Sequence, residues 1–343
     1  MSVAPPGSKV AVIGAGPCGL AAAISLRAAG FDAVVFDAGS VVSSIVRYPT
    51  YATFFSTAEK LSIGGIPFVT AGDKPTRRDA LAYYRAIVTH FGIPVRQYET
   101  VTAIDGRLGA FTVHSRTRDG AAHETAVAAV VIATGYFGAP NAIGVPGEEL
   151  SHVSHTYHEG HGAFQQDTVV VGGGNSAAEA ALDLYRTGAR VTLVHFGPTF
   201  DMKIKPWVLP DFTNRVAEGA IGVRWNSRVE AITPTHVRIR GEGGVTEELP
   251  AGFVFLMTGF APRVELLRQL GVPIDESTGV PSHDPETLET TVPGVFIAGV
   301  INAGYDANRI FIENGRYHGE RIVARLAGRA VPETPGASRD IDG

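Results

Sequence analysis

Near the start of the chain, Val10 to Ile13 form an unbroken apolar run between Lys9 and Gly14, too short for a helix and suited to a strand buried on both faces. Residues 9–14 therefore predict a strand, 17–29 an Ala-rich helix, and Asp32-Ala-Val-Val-Phe-Asp37 a second strand, together one βαβ unit. The pattern returns later. A strand from about Thr168 to Val171 leads into Gly172-Gly173-Gly174-Asn175-Ser176-Ala177, a helix to about Thr187, and the strand Arg190 to His195. Gly14 precedes Asp37 by 23 residues and Gly172 precedes His195 by the same 23, which marks an internal repeat.

Short strands broken by turn residues follow each unit. In the first copy they are Val101 to Asp105, Ala110 to Arg116 and Val127 to Ala133, and in the second Val229 to Ile232, His236 to Arg240 and Phe253 to Met257. Each series ends in a Thr-Gly step, Thr134-Gly135 and Thr258-Gly259. The first copy is longer by about 34 residues, mostly Tyr48 to Phe91, so the copies are expected to differ in function there. Within that stretch Thr76 and Asp79 have capping-box spacing, and Leu81, Tyr84, Ile87/Val88 and Phe91 make one apolar helical stripe that reads as core. The predicted fold is α/β with two Rossmann-like dinucleotide-binding domains, one discontinuous (1–138 plus 260–343) around the other (145–255). Residues 331–343 lack periodicity and read as a flexible tail.

At 343 residues the chain is long enough for two such domains. Its net charge of −5 gives no basic excess for nucleic acid or an anionic membrane, so neither is expected as a partner. Glycine makes up 41 of 343 residues, about 12% against a usual ~7%, without a collagen-like period, so glycine here serves backbone geometry. A single cysteine, Cys18, rules out an intramolecular disulfide, a CxxC pair and a cysteine-ligated zinc site, and fits a reducing cytoplasm. The run Val10 to Leu26 superficially imitates a signal peptide, but its glycines and Arg27 argue against that reading and against a membrane span.

Gly14-Ala15-Gly16-Pro17-Cys18-Gly19 between strand and helix, with Asp37 at the end of the second strand, is the context a dinucleotide fingerprint requires. Gly14 permits the tight turn, Gly16 lets a pyrophosphate approach, Gly19 allows close helix–strand packing, and Asp37 can accept both ribose hydroxyls. Gly172, Gly174 and Ala177, with Asn175 and Ser176, repeat the phosphate geometry, but the strand ends in His195. Without a carboxylate there a 2′-phosphate is tolerated, and Lys203 and Lys205 follow as sources of charge, which points to NADPH over NADH. Phe196 stands where an arginine would be expected for that role.

One site with an acid and one without imply a bound flavin and an exchangeable nicotinamide. Over nearly the whole chain this resembles the thioredoxin-reductase-like flavoproteins, with their three-layer ββα sandwich domains. The resemblance makes Ala133-Thr134-Gly135 the crossover from the FAD domain and Gly294 to Gly299 its last strand, with Val300 where the group has an acid for the ribityl chain. Gly16-Pro17-Cys18-Gly19-Leu20, Tyr48-Pro-Thr50, Thr53-Phe-Phe-Ser56, Glu59-Lys-Leu61, Lys205-Pro-Trp207 and Ile312-Glu-Asn-Gly-Arg316 together resemble the bacillithiol-disulfide reductase family. That resemblance implies FAD, NADPH, a low-molecular-weight disulfide substrate, a bacilliredoxin-type partner system, and a redox role for Cys18. Self-association into a homo-oligomer is the expected assembly.

Read from its own chemistry, Cys18 is open between a small buried hydrophobe and a nucleophile. A helix N-terminus favours its thiolate, and a neighbouring pyrophosphate opposes it. Phe54 or Phe55 is expected against the flavin ring, with Ser56 or Thr57 at its polar edge, and Gly315 is expected to open a last helix running to about Leu326 whose N-terminus stabilises charge on reduced flavin. His152, His155, His158 and His161 recur every three residues, a spacing that drifts around a helix, so a polar interdomain segment is the simpler reading and no metal is expected. A ferredoxin or flavodoxin reductase, a flavin-bearing redox sensor and, less favoured, a flavin monooxygenase are the rival functions.

Overall fold

A computed structural model describes residues 4–200 and 204–332. Two compact units are present. The described residues of the first lie within 4–46, 52–139 and 261–332, and those of the second within 47–51 and 140–260. Of the expected tail 331–343, all but the first two residues lie outside the described residues.

The first unit is built on a parallel five-stranded sheet in the order Val295–Ile297, Ala129–Ile132, Lys9–Ile13, Asp32–Asp37, Val95–Gln97. Both faces are covered, which is why Val10, Ala11 and Val12 form a continuous apolar run with no exposed surface. One face carries an antiparallel meander, Glu99–Arg107, Ala110–Thr117 and Ala122–Val127, whose Ile104, Phe111, Val113 and Val127 pack on Ala11, Ile13, Val130 and Ile132. The helices Pro17–Ala28 and His318–Leu326 pack against each other, close enough that a Cβ on Gly319 would lie 2.6 Å from Ala22 Cα.

The helix Arg77–Phe91 starts at the expected capping box: Thr76 N–H donates to Asp79 Oδ2 at 2.9 Å and Asp79 N–H donates to Thr76 Oγ1 at 3.2 Å. Tyr84 and Ile87 are core, as their spacing predicts, together with Ala80.

The second unit repeats the layers. Its parallel sheet runs Ile221–Arg224, Arg190–Val194, Asp167–Val171, Phe253–Leu256, Val153–Ser154. The helix Asn175–Arg186 belongs to a core with Val170, Val191 and Leu193, while the meander Arg228–Ile232, His236–Arg240 and Thr246–Pro250 packs Val229, Val237, Ile239 and Leu249 on Val169, Val194 and Val254. The strand at the edge beside Phe253–Leu256 comes from before the repeat here, whereas in the first unit the matching edge strand comes near the chain's end.

Three details differ from the sequence reading. The strands at 127–133 and 253–257 are not the last of the meanders: Ala129–Ile132 and Phe253–Leu256 return to the parallel sheets, and the third meander strands are Ala122–Val127 and Thr246–Pro250. Those segments carry polar and acidic residues on their open face, so hydrophobicity did not mark them. The expected single helix from Gly315 to Leu326 is two pieces, Ile312–Gly315 and His318–Leu326. At the break Arg316 reaches away to the carbonyl oxygens of Glu59 and Ser62, at 2.7 and 2.8 Å. Arg47–Tyr51, expected within the first domain (1–138), clusters with the second unit, where Thr50 N–H donates to His158 O at 3.0 Å.

Candidate active site

In the first unit Gly14 has φ +115, and a Cβ there would fall 2.3 Å from Ala133 O; one on Gly19 would fall 2.0 Å from Gly14 O. Only glycine allows this turn and this helix–strand approach. Space beside Gly16 is open, Pro17 fills the first helical position where its missing N–H costs nothing, and no side chain caps the helix. The first-turn amides of the helix Pro17–Ala28 are therefore available to an anion. Asp37 accepts from Ala15 N at 2.8 Å through Oδ2, and from Gly39 N at 2.7 Å and Ser43 Oγ at 3.1 Å through Oδ1. A carboxylate offers about four acceptor sites, so three bonds leave room for about one ribose hydroxyl rather than both. At the crossover Thr134 Oγ1 is buried without a partner, and Gly135 follows with φ +76. A buried hydroxyl left unpaired beside a glycine turn with open space fits a polar ligand such as a dinucleotide at this strand end.

Cys18 lies in the first turn of the same helix. Its sulfur is held between two glycines: a Cβ on Gly315 would lie 2.7 Å from Sγ, and one on Gly299 3.2 Å from it. Cys18 is half-buried, and what raises its thiol is neither side of the expected contest between helix dipole and pyrophosphate but desolvation, which pushes it up to about 12. Gly299, with φ +77, donates its N–H to Nδ1 of His318 at 3.0 Å. His318 is 4% exposed, and burial holds its pKa down at about 4, so the ring is neutral with Nδ1 as acceptor. Sequence reading missed His318, whose role depends on a glycine in a different element.

Phe55 is 57% exposed with Lys74 Nζ 5.5 Å from its ring centroid, so it is not core packing; Phe54 and Ser56 are half-buried, and Thr57 Oγ1 donates to Glu59 Oε1 at 2.6 Å.

In the second unit Gly172 matches Gly14, with φ +143 and a Cβ position 2.4 Å from Met257 O; Gly174 precedes the helix as its N-cap, and Ala177 is buried. Ser176 is exposed and Asn175 Oδ1 accepts from Lys205 N at 2.7 Å. Lys205 Nζ donates to Glu179 Oε1 at 2.6 Å, so its charge is matched within the protein and does not stand open for a 2′-phosphate. Lys203 lies outside the described residues. His195 is 3% exposed, with its ring packed so closely that a Cβ on Gly173 would fall 2.2 Å from it. Phe196, just after it, is 60% exposed and carries the guanidinium of Arg228 at 4.7 Å from its ring centroid. Arg228 is a second residue the sequence reading did not single out.

The four histidines do not converge. His155 Nε2 is 3.2 Å from Glu148 Oε1, His158 contributes its carbonyl to Thr50, and His161 opens a short 3₁₀ turn. No group of three or more His, Cys, Asp or Glu suited to a metal occurs among the described residues, and no helix among them is long and apolar enough to cross a membrane.

Two nucleotide-binding units of one design, the first ending its second strand in an acid and the second in a histidine, define a two-dinucleotide oxidoreductase. Residues 11–299 match the pyridine nucleotide-disulphide oxidoreductase family. The chain is 46% identical to the bacilliredoxin reductase Bdr of Bacillus subtilis over 94% of this chain and 98% of that protein. Among solved structures it is similar to bacillithiol disulfide reductase Bdr from Bacillus cereus, with a TM-score of 0.91 and 44% identity over 94% of this chain and 99% of that one. The corresponding protein from Staphylococcus aureus gives 0.87 and 40% over the same 94% and 99%. The chain belongs to the pyridine nucleotide-disulphide oxidoreductase family, and its cofactors are FAD and NAD(P)H.

Proposed function

We propose that this chain is an NADPH-dependent reductase of bacillithiol disulfide, acting in the bacterial cytoplasm with a bacilliredoxin-type protein as the downstream partner. The observation that carries this reading is the end-to-end likeness to the Bacillus subtilis bacilliredoxin reductase, which leaves neither unit unmatched. Balanced, NADPH, a proton and one disulfide give NADP⁺ and two thiols. FAD, when bound, supplies the two-electron relay between nicotinamide and disulfide.

The chain's own residues have distinct tasks. Gly14, Gly16, Pro17 and Gly19 shape the turn and helix start that receive the FAD pyrophosphate; Asp37 takes one ribose hydroxyl, Thr134 and Gly135 border the crossover, and Phe55 and Ser56 lie in the insertion that only the first unit has. Gly172, Gly174, Asn175, Ser176 and Ala177 shape the NADPH turn, and His195 keeps a carboxylate away from it.

Cys18 is the redox sulfur in this reading. Held as a thiol by burial, it must lose its proton as it attacks, and with one cysteine per chain a mixed disulfide is resolved by electrons from the cofactor or by a second small thiol. A second reading, in which Cys18 is a packing residue, is favoured by that raised pKa and by the fit of the sulfur between Gly299 and Gly315.

NADPH oxidation with bacillithiol disulfide, glutathione disulfide and cystine tests the substrate. Turnover with bacillithiol disulfide at least tenfold above the others is expected, and equal or absent turnover with all three would reject the assignment. Flavin analysis should give one FAD per chain. Loss of turnover in Cys18→Ala with FAD retained supports the redox sulfur, and full turnover makes it a packing residue.

A further inference from the structure

In the second unit His195 follows the strand Arg190–Val194 where an acid would select a free 2′-hydroxyl, and Lys205 is paired with Glu179, yet one arginine near that strand end has no carboxylate partner among the described residues. Residues 140–260 contain seven arginines. Six are matched by acids: Arg186 by Asp211, Arg190 by Asp167, Arg215 by Asp211 and Glu218, Arg224 by Glu247, Arg238 by Glu248 and Arg240 by Glu230. Arg228 alone has no such partner among the described residues. It is exposed and lies over Phe196.

Its place is set by the backbone. The strand Arg190–Val194 ends where an adenosine ribose is read in this fold, and the chain beyond it is stitched to 224–227. His195 N donates to Arg224 O, Ser227 N to His195 O and Asn226 N to Gly197 O, each at 3.0 Å. These bonds bracket Phe196 and start the strand Arg228–Ile232 beside it. The ring contact positions the exposed guanidinium, and a phosphate can take such a planar fork in bidentate fashion.

We propose that Arg228, positioned on Phe196, is the receptor for the 2′-phosphate and sets the preference of this chain for NADPH. The inference rests on the reading of the second unit as the nicotinamide dinucleotide site. His195 and Arg228 then divide the task. The ring of His195 occupies the ground beside Gly173 that a carboxylate would hold, as Asp37 holds it beside Ala15 in the first unit, and so removes repulsion. Arg228 adds the attraction. Selectivity built from both is stronger than either alone.

The test is calorimetric titration of FAD-loaded protein with adenosine 2′,5′-bisphosphate and with AMP, which needs no turnover. The wild type is expected to bind the bisphosphate at least tenfold more tightly. Arg228→Gln should weaken the bisphosphate alone and bring the ratio within about twofold, and Arg228→Lys should recover part of it. Phe196→Leu should lower the ratio because the guanidinium loses its platform. A ratio unchanged in Arg228→Gln, or equal loss of both ligands, overturns the proposal. Absence of any 2′-phosphate preference in the wild type also overturns it. Wild-type protein that keeps FAD but binds neither nucleotide rejects the dinucleotide reading of the second unit itself, an outcome distinct from the others.

Discussion

The sulfur of Cys18 lies where a Cβ on Gly315 would approach it to 2.7 Å. Cys18 is in the first helix of the chain and Gly315 in one of the last two, so a fingerprint residue and a distant glycine share one tight contact. Gly315 is not at a positive φ, so its glycine is a matter of space rather than backbone conformation.

Gly315→Ala should therefore destabilise the protein by about 1–3 kcal/mol, overriding the ~1 kcal/mol that alanine gains over glycine in a helix. In a Cys18→Ala background the same change should cost little, because the sulfur it strikes is gone. Urea denaturation of the four proteins closes the cycle. Additive effects would mean that the two residues do not meet as described.

The thiol itself gives a pH signature. Its pKa in the folded state is about 12 against an ordinary 9.0, so the folded protein favours the protonated form. The stabilisation is complete below about pH 9 and is lost as pH rises toward 12. Iodoacetamide should accordingly label Cys18 slowly at pH 8 in flavin-free protein and faster above pH 9, as read by intact mass. Rapid labelling at pH 7 would show that the sulfur is not enclosed.

His318 acts in the opposite pH range. Its pKa is lowered from an ordinary 6.5 to about 4, so the unfolded chain takes up a proton before the folded one does. Stability from this residue is present above pH 6.5 and is lost as pH falls through 6.5 toward 4. Protonation of Nδ1 also removes the acceptor of Gly299 N–H, the backbone beside Cys18. His318→Phe should be less stable at pH 8 by about 1–3 kcal/mol and show a flatter fall between pH 6.5 and 4 in thermal melts.

Asp37 has a structural task before any ribose arrives. Asp37→Ala leaves Ala15 N, Gly39 N and Ser43 Oγ without their acceptor. Flavin content after gel filtration should drop, and the flavin-free protein should also lose about 1–3 kcal/mol. Loss of flavin with unchanged stability of the flavin-free protein would show that the ribose is the only partner that matters. Asp37→Asn keeps one acceptor oxygen and should fall between.

The chain by itself determined the two nucleotide-binding turns and their strand–helix–strand frames. These are local chemistry: Gly14 and Gly172 each stand in a left-handed conformation under a carbonyl of the neighbouring strand, and glycine spacing within one turn reports that directly. The capping box at Thr76 was legible for the same reason. Tertiary structure decided which charges remain open. Lys205 read as a phosphate ligand until Glu179 took its ammonium, and Phe196 read as an argument against NADPH until Arg228 was laid across it from another strand. It also decided the surroundings of Cys18, because desolvation raises its thiol pKa and Gly299 and Gly315, which pack on the sulfur, are far from it in sequence. Ion pairing and desolvation depend on what the fold brings within a few ångströms, and local spacing carries no record of that.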